Sequence, residues 1–104
     1  MKKIMLVCSA GMSTSLLVTK MEQAAEKVGD EVEIFALPMS DGINRLSTVD
    51  CVLLGPQVRF NLGKIKEEAA KVNPELPVDV IDMKDYGMMN GEKVYNYAKK
   101  LMDE

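Results

Sequence analysis

The chain has 104 residues, 47% of them apolar and 28% charged, and this length and balance predict one folded domain over residues 1–104. The net charge of −3, without a basic stripe, argues against a nucleic-acid partner. Histidine is absent, which excludes histidine general bases and Cys–His or Ser–His–Asp catalysis, and argues against a metal site.

Neither a targeting segment nor a membrane span is predicted. The first apolar stretch, residues 4–7, is too short for a signal peptide, and no run reaches the roughly 18 apolar residues of a membrane helix. We therefore expect a cytosolic protein that does not insert into the membrane. Cys8 and Cys51 lie far apart without a CxxC spacing, so no disulfide framework is predicted.

The chain opens with a strand followed by a helix. The apolar run at residues 3–7 predicts a strand that is buried on both faces. The small and polar residues 8–15 predict a loop with several possible helix N-caps. A helix is expected next, ending at Gly29, because apolar residues recur at spacings of 4, 3 and 4. Its predicted inner face consists of Leu17, Met21, Ala24 and Val28.

Strands and helices continue to alternate along the rest of the chain. Residues 32–37 predict a second strand that Pro38 stops, and residues 40–46 predict a short helix with Ile43 and Leu46 facing inward. Two more strands are predicted at residues 51–54 and 78–81. Two more helices have the inner faces Leu62, Ile65, Ala69 and Val72, and Val94, Tyr97, Ala98 and Leu101. Asn90 can cap the last helix.

This alternation predicts an α/β fold, a flavodoxin-like three-layer sandwich. Its four-stranded parallel sheet has the order 2-1-3-4, and right-handed crossovers place helices on both faces. The topological switch point lies between strands 1 and 3 at their carboxyl ends, where ligands bind in such folds. Cys8 is the residue at the end of strand 1.

The segment from Cys8 to Ser15 is the candidate site. Backbone N–H groups in such a turn, together with a helix N-terminus, form a cradle for a phosphate dianion, and Gly11 lets the backbone approach it. The same field favours a thiolate, the nucleophilic form of cysteine, so Cys8 is predicted as the nucleophile. The predicted phosphate-binding residues are Ser9, Ala10, Gly11, Met12, Ser13, Thr14 and Ser15.

Each of these features also has a structural alternative. Cysteine is often a small buried apolar residue, and serine or threonine before a helix is often only a cap. For Cys8 the combination of features favours the functional interpretation. Cys51 opens an apolar strand without a polar cradle, so core packing is predicted for it.

The sequence resembles the enzyme IIB component of the bacterial sugar phosphotransferase system, lactose/cellobiose (diacetylchitobiose) family. Residues 4–15, 53–60 and 81–87 carry the resemblance, which covers essentially the whole chain. It implies a phosphotransferase in which Cys8 takes a phosphoryl group from a phosphohistidine of enzyme IIA. The phosphocysteine then passes that group to a sugar bound by the membrane enzyme IIC. Cellobiose, chitobiose and lactose remain open as sugars, and no cofactor is expected.

Low-molecular-weight tyrosine phosphatases and arsenate reductases are the main alternative. They need Cys-x5-Arg, whose guanidinium clamps the transferring phosphoryl group, but the sixth residue after Cys8 is Thr14. Asp85-Tyr86 mimics their late acid loop only superficially, and a solvated turn is predicted there. The missing guanidinium suggests the hypothesis that water attacks a phosphocysteine only slowly in this chain.

Two further classes are disfavoured. A redox role for the two cysteines fails because Cys8 and Cys51 are expected well beyond the roughly 7 Å between Cα atoms that a disulfide can span. A flavin site is disfavoured because the chain has only five aromatic residues.

Several residues in predicted loops are candidates for a rim around the cysteine segment that contacts partner proteins. Methionine suits surfaces that accept more than one partner, although these methionines could equally fill gaps in the core. Gln57 follows strand 3 beside the switch point. The predicted rim consists of Met39, Gln57, Tyr86, Met88 and Met89.

Overall fold

Four strands and five α-helices form within the described ranges, residues 1–8 and 12–103 of this computed structural model. The strands are β1 (Lys2–Cys8), β2 (Val32–Pro38), β3 (Cys51–Leu54) and β4 (Val78–Val80). The helices are α1 (Met12–Lys27), α2 (Met39–Ile43), α3 (Leu62–Val72), α4 (Met83–Gly87) and α5 (Gly91–Leu101). Short 3-10 helices at Leu46–Thr48 and Pro56–Asn61 precede β3 and α3.

The sheet has the predicted order, β2-β1-β3-β4, and every strand pair in it is parallel. β1 pairs with β2 along its whole length, ending with Cys8 opposite Pro38. Its pairing with β3 begins with Ile4 opposite Cys51. Helices cover both faces, so the prediction of a flavodoxin-like, three-layer α/β fold is confirmed.

The side chains of β1 divide the core into two clusters. Ile4 and Leu6 pack with residues of α1 and α5, whereas Met5 and Val7 pack with residues of α3, because successive side chains of a strand point to opposite faces. All four are 0% exposed, and burial of each side chain contributes about 1.5–3 kcal/mol. A strand buried on both faces therefore requires the continuous apolar run seen in the sequence.

The end of α1 is fixed by Gly29, as predicted. Gly29 has a φ of +77°, which favours glycine, and donates its N–H to Glu26 O at 3.1 Å. Asp30 donates its N–H to Ala25 O at 2.9 Å, which completes a Schellman motif. The Asp30 carboxylate then accepts hydrogen bonds from the Tyr95 hydroxyl and Lys99 Nζ, both at 2.8 Å, and these bonds lower the pKa of Asp30. The end of α1 is thus tied to α5.

The predicted inner faces of the first and third helices were wrong at their last residues. Val28 and Val72 are 62% and 53% exposed. Val28 lies beyond the end of α1, and Val72 is the last residue of α3, so no further turn holds either side chain against the sheet. The short helix predicted at residues 40–46 ends at Ile43, and Leu46 is buried from the 3-10 helix that follows.

The segment before the last helix differs from the predicted solvated turn. It forms α4, whose N-cap is Asp82. The Asp82 carboxylate accepts hydrogen bonds from the backbone N–H groups of Lys84 and Asp85, at 3.1 and 3.2 Å. This capping satisfies donors at the start of a helix that is only five residues long. Among the described residues, no helix has both the length and the apolar character needed to cross a bilayer.

The Asp79 carboxylate occupies a backbone N–H group on β4, the edge strand of the sheet. Val80 donates its backbone N–H to Asp79 Oδ1 at 2.8 Å, and Tyr97 of α5 donates its hydroxyl to Asp79 Oδ2. Unpaired N–H groups on an edge strand invite pairing with another chain, so the carboxylate protects this edge.

The same contact is expected to shift the titration of Tyr97. The hydrogen bond to Asp79, with a smaller effect of burial, raises the pKa of Tyr97 from 10.0 to about 12. Because folding favours the neutral phenol, this stabilisation is complete below about pH 10 and is lost as the pH rises toward about 12. The difference in tyrosinate absorbance between wild type and Tyr97→Phe should therefore titrate near pH 12. Asp79→Asn should move that midpoint down toward the ordinary tyrosine value, and a wild-type midpoint already at that value would contradict the expectation.

Candidate functional site

Cys8 ends the central strand β1, at the carboxyl edge of the sheet. Its Sγ lies 3.9 Å from Leu37 O and donates a weak S–H hydrogen bond to it. The residue is 1% exposed, so its sulfur is shielded from bulk water, and neither apolar cluster among the described residues includes it. Cys8 therefore lies where parallel α/β sheets bind ligands, at the switch point between β1 and β3.

Cys51 has a different environment. It is 0% exposed within the apolar cluster of α1 and α5, which confirms its predicted role in core packing. Burial is the main cause that raises the pKa of its thiol to about 12, and the charges of Asp50 and Asp79 add to it. Cys51 pairs with Ile4 of β1. Because Ile4 and Cys8 are four residues apart on that strand, Cys51 lies roughly 13 Å from Cys8 along the strand direction. Both cysteines are free thiols.

A chain of three side chains lies at the same edge of the sheet as Cys8. Thr14 Oγ1 and the Tyr86 hydroxyl are hydrogen bonded at 3.0 Å, and Gln57 Nε2 donates to the same Tyr86 oxygen at 3.0 Å. Thr14 belongs to the first turn of α1, Gln57 follows β3, and Tyr86 belongs to α4, which follows β4. The structure thus joins the segments that follow three of the four strands.

The predicted phosphate-binding residues occupy different situations. Ser9, Ala10 and Gly11 lie outside the described residues, and Met12 and Ser13 are described only as the first two residues of α1. Thr14 is 1% exposed, with its hydroxyl bonded to Tyr86, whereas Ser15 is exposed. The position where the phosphatases have their arginine is thus held by a neutral, buried hydroxyl bonded to Tyr86, which argues against the phosphatase arrangement.

The residues predicted for a partner rim divide by exposure. Met39 and Met89 are partly buried and pack against the apolar clusters on opposite faces of the sheet. Tyr86 is partly buried, Gln57 is exposed, and Met88 is 68% exposed. Met39 and Met89 thus help to fill the core, while Gln57 and Met88 face solvent.

Three exposed apolar residues were not singled out by the sequence analysis. Leu16, Phe60 and Met83 are 50%, 80% and 63% exposed, and each lies in the segment that follows a strand. An apolar residue in the segment between a predicted strand and the next predicted helix, outside any helical periodicity, is the signal that could have identified Phe60.

One cleft among the described residues lies away from this site. It has a volume of about 470 Å³ between β4 and α5. Its lining residues include Asp82, Asp85, Lys93 and Tyr97, and none of the residues predicted for the site lines it. In the described part of the chain, no group of three or more cysteine, aspartate or glutamate side chains is placed to hold a metal ion.

Solved structures share this architecture. The lactose-specific IIB component domain from Streptococcus pneumoniae superimposes with a TM-score of 0.84, covering 95% of each chain, at 15% identity, and this likeness concerns the fold alone. The cellobiose-specific phosphotransferase IIB component from Borrelia burgdorferi superimposes with a TM-score of 0.78, covering 98% of this chain and 92% of that one, at 38% identity.

Full-length relatives have similar sequences. The oligo-beta-mannoside-specific EIIB component of Bacillus subtilis (strain 168) is 47% identical, and the cellobiose-specific EIIB component of Lactococcus lactis subsp. lactis (strain IL1403) is 48% identical. The galactose-specific EIIB component of Lactococcus lactis subsp. cremoris (strain MG1363) is also 48% identical, and all three matches cover 98% of this chain and 97% of the relative. A sequence profile of the family "PTS system, Lactose/Cellobiose specific IIB subunit" matches residues 3–97. The chain belongs to this lactose/cellobiose IIB family of the sugar phosphotransferase system.

Proposed function

We propose that Cys8 is the phosphoryl carrier of this IIB component. It accepts the group from a phosphohistidine of enzyme IIA and delivers it to a sugar bound by the membrane enzyme IIC, acting in the cytoplasm. The observation that supports this most is the position of Cys8 at the carboxyl end of the central strand, ahead of the 16-residue helix α1. The chain has no histidine, and its other cysteine is a core residue, so Cys8 is its best-placed nucleophile.

The proposed chemistry consists of two in-line displacements at phosphorus. The Cys8 thiolate attacks the phosphorus of phosphohistidine, the P–N bond breaks, a P–S bond forms, and the leaving imidazole takes up a proton. A sugar hydroxyl then attacks the same phosphorus, the P–S bond breaks, and the hydroxyl proton passes to a base or to water. The thiolate is regenerated, and positioning and charge stabilisation do most of the catalysis.

The segment from Cys8 to Ser15 would hold the phosphoryl oxygens. We assign the contacts to backbone N–H groups of Ser9 to Ser15, because they precede and begin α1, whose N-terminus carries partial positive charge. The near-complete burial of Cys8 fits a carrier, since the P–S bond of a phosphocysteine survives longer when water is kept away from it.

The choice of sugar is proposed to lie with enzyme IIC. The three relatives are named for oligo-β-mannosides, galactose and cellobiose, yet all are 47–48% identical to this chain. The sequence identity of a relative to this chain is therefore independent of the sugar for which that relative is named.

Phosphoryl transfer from a phosphorylated enzyme IIA, followed by intact mass, tests the proposal. Wild type and Cys51→Ala should each gain the mass of one phosphoryl group, and Cys8→Ser should gain none. Loss of the gain in Cys51→Ala, or its persistence in Cys8→Ser, would count against the assignment. Turnover of an aryl phosphate without any partner would instead favour a phosphatase, an outcome that Thr14 in the arginine position argues against.

A further inference from the structure

We infer that Tyr86 is a positioning residue for phosphoryl transfer, acting through Thr14; this inference rests on the proposed function of Cys8. Tyr86 links two residues that are far from it in sequence, Thr14 by 72 positions and Gln57 by 29. Through these two bonds, α4 and the segment after β3 hold the first turn of α1. That turn is the part of the helix nearest to the proposed phosphate site.

Donor chemistry gives the hydrogen bonds a direction. An amide NH₂ can only donate, so Gln57 donates to the Tyr86 oxygen at 3.0 Å. A phenol that accepts a hydrogen bond becomes a better donor, which favours donation of the Tyr86 proton to Thr14 Oγ1. Hydrogen-bond donation therefore runs from the exposed Gln57 through Tyr86 to the buried Thr14.

Burial makes the Tyr86 bond important for Thr14. Thr14 is the only buried polar residue among those described, at 1% exposure, and a buried hydroxyl without a partner costs about 1–3 kcal/mol. No residue of α4 is fully buried, but the Tyr86 side chain packs against the apolar cluster of α1 and α5, and its hydrogen bonds add to this packing in placing the short helix.

Thr14, held by its hydrogen bond to Tyr86, occupies the position that an arginine has in Cys-x5-Arg phosphatases. In Cys-x5-Arg phosphatases the sixth residue after the cysteine contributes positive charge to the transferring phosphoryl group. Here the residue in that position is neutral and is held by another neutral side chain. The turn is positioned without added charge, which fits the hypothesis that water attacks the phosphocysteine only slowly.

A substitution at Gly55 can disturb the Gln57–Tyr86–Thr14 hydrogen bonds without altering any of these three residues. A Cβ atom on Gly55 would lie 2.6 Å from Gln57 Oε1, while the backbone of Gly55, with φ of −63°, accepts any residue. Gly55→Ala should therefore displace the Gln57 side chain without changing Tyr86, Thr14 or Cys8.

Four variants test the inference by the maximal rate of phosphoryl acceptance from phosphorylated enzyme IIA and by the KM for that enzyme. Tyr86→Phe and Thr14→Val should each lower the maximal acceptance rate about five- to tenfold, the loss of one hydrogen bond, with the KM for enzyme IIA unchanged. Thr14→Ser, which keeps the hydroxyl, should restore the wild-type rate. Gly55→Ala should lower the rate by a smaller factor.

Tyr95→Phe is the matched control, because it removes a tyrosine hydroxyl that is bonded to Asp30. It should lower the melting temperature while the transfer rate stays unchanged, which separates positioning from general stability. A wild-type rate in Tyr86→Phe, or equal losses in Thr14→Ser and Thr14→Val, would overturn the inference and leave the carrier function standing. Wild type that accepts no phosphoryl group would overturn both.

Discussion

Replacing Cys8 with alanine is expected to lower sugar phosphorylation by the complete system of enzyme IIA, this chain and enzyme IIC by more than about a thousandfold. Covalent transfer needs a nucleophile, and the described structure offers no substitute near the carboxyl end of β1. Cys51 cannot take over, because it packs in the apolar cluster of α1 and α5, its pKa is raised to about 12, and it begins the neighbouring strand beside Ile4. The measurement is sugar phosphate formed with enzyme IIC membranes.

Cys51→Ala is the matched control for this loss. It removes a core sulfur and should lower the free energy of unfolding by about 1 kcal/mol, while sugar phosphorylation remains at the wild-type rate. Circular dichroism of Cys8→Ala should show the wild-type fold, so that its inactivity is not due to unfolding. Substantial sugar phosphorylation by a folded Cys8→Ala chain would contradict the carrier role.

Replacing Gly91 with alanine is expected to lower the free energy of unfolding by about 3 kcal/mol or more. Gly91 is the first residue of α5 and is buried against α1. A Cβ atom there would lie 2.4 Å from the carbonyl carbon and Cβ of Lys20 and 2.6 Å from the backbone nitrogen of Met21. Backbone atoms cannot rotate away as a side chain can, so α5 must move off α1. Urea unfolding measures the loss, and the melting temperature should fall by more than about 12 °C.

Gly63→Ala provides the contrast. Gly63 lies in α3, and no heavy atom would lie within 4 Å of an added Cβ. Alanine at an exposed helix position should raise the free energy of unfolding by about 0.5–1 kcal/mol, because it lowers the entropy of the unfolded chain and favours the helix. A wild-type unfolding midpoint for Gly91→Ala would show that α1 and α5 do not approach as closely as described.

The fold could be predicted because its strongest signals are local. The apolar run of β1 specifies a strand buried on both faces, and the alternation of strands and helices specifies a parallel sheet. Helix ends were less predictable: Gly29 stops α1 through its conformation, but apolar Val28 and Val72 continue the pattern past the part of the helix that packs. The importance of Gly91 was not predictable, since it comes from contact with a helix some 70 positions earlier.

The candidate site could likewise be predicted only where its sequence signals are local. Cys8 is recognisable locally, as a thiol between a buried strand and a helix start. Thr14 and Tyr86 were both singled out, one as a phosphate ligand and the other as a rim residue. Their mutual hydrogen bond was not foreseen, because nothing local relates residues that are 72 positions apart. Only the folded sheet, which gathers the ends of its strands at one edge, brings them together.

The central claim is that the phosphoryl group resides on the sulfur of Cys8. Its most direct test is to phosphorylate the chain with enzyme IIA and its phosphoryl donors, and then to locate the group by peptide fragmentation and phosphorus NMR. We expect a phosphorus–sulfur bond on the peptide that contains Cys8. A phosphoryl group bonded to oxygen on a serine or threonine of the following segment, or the absence of any transferred group, would contradict it.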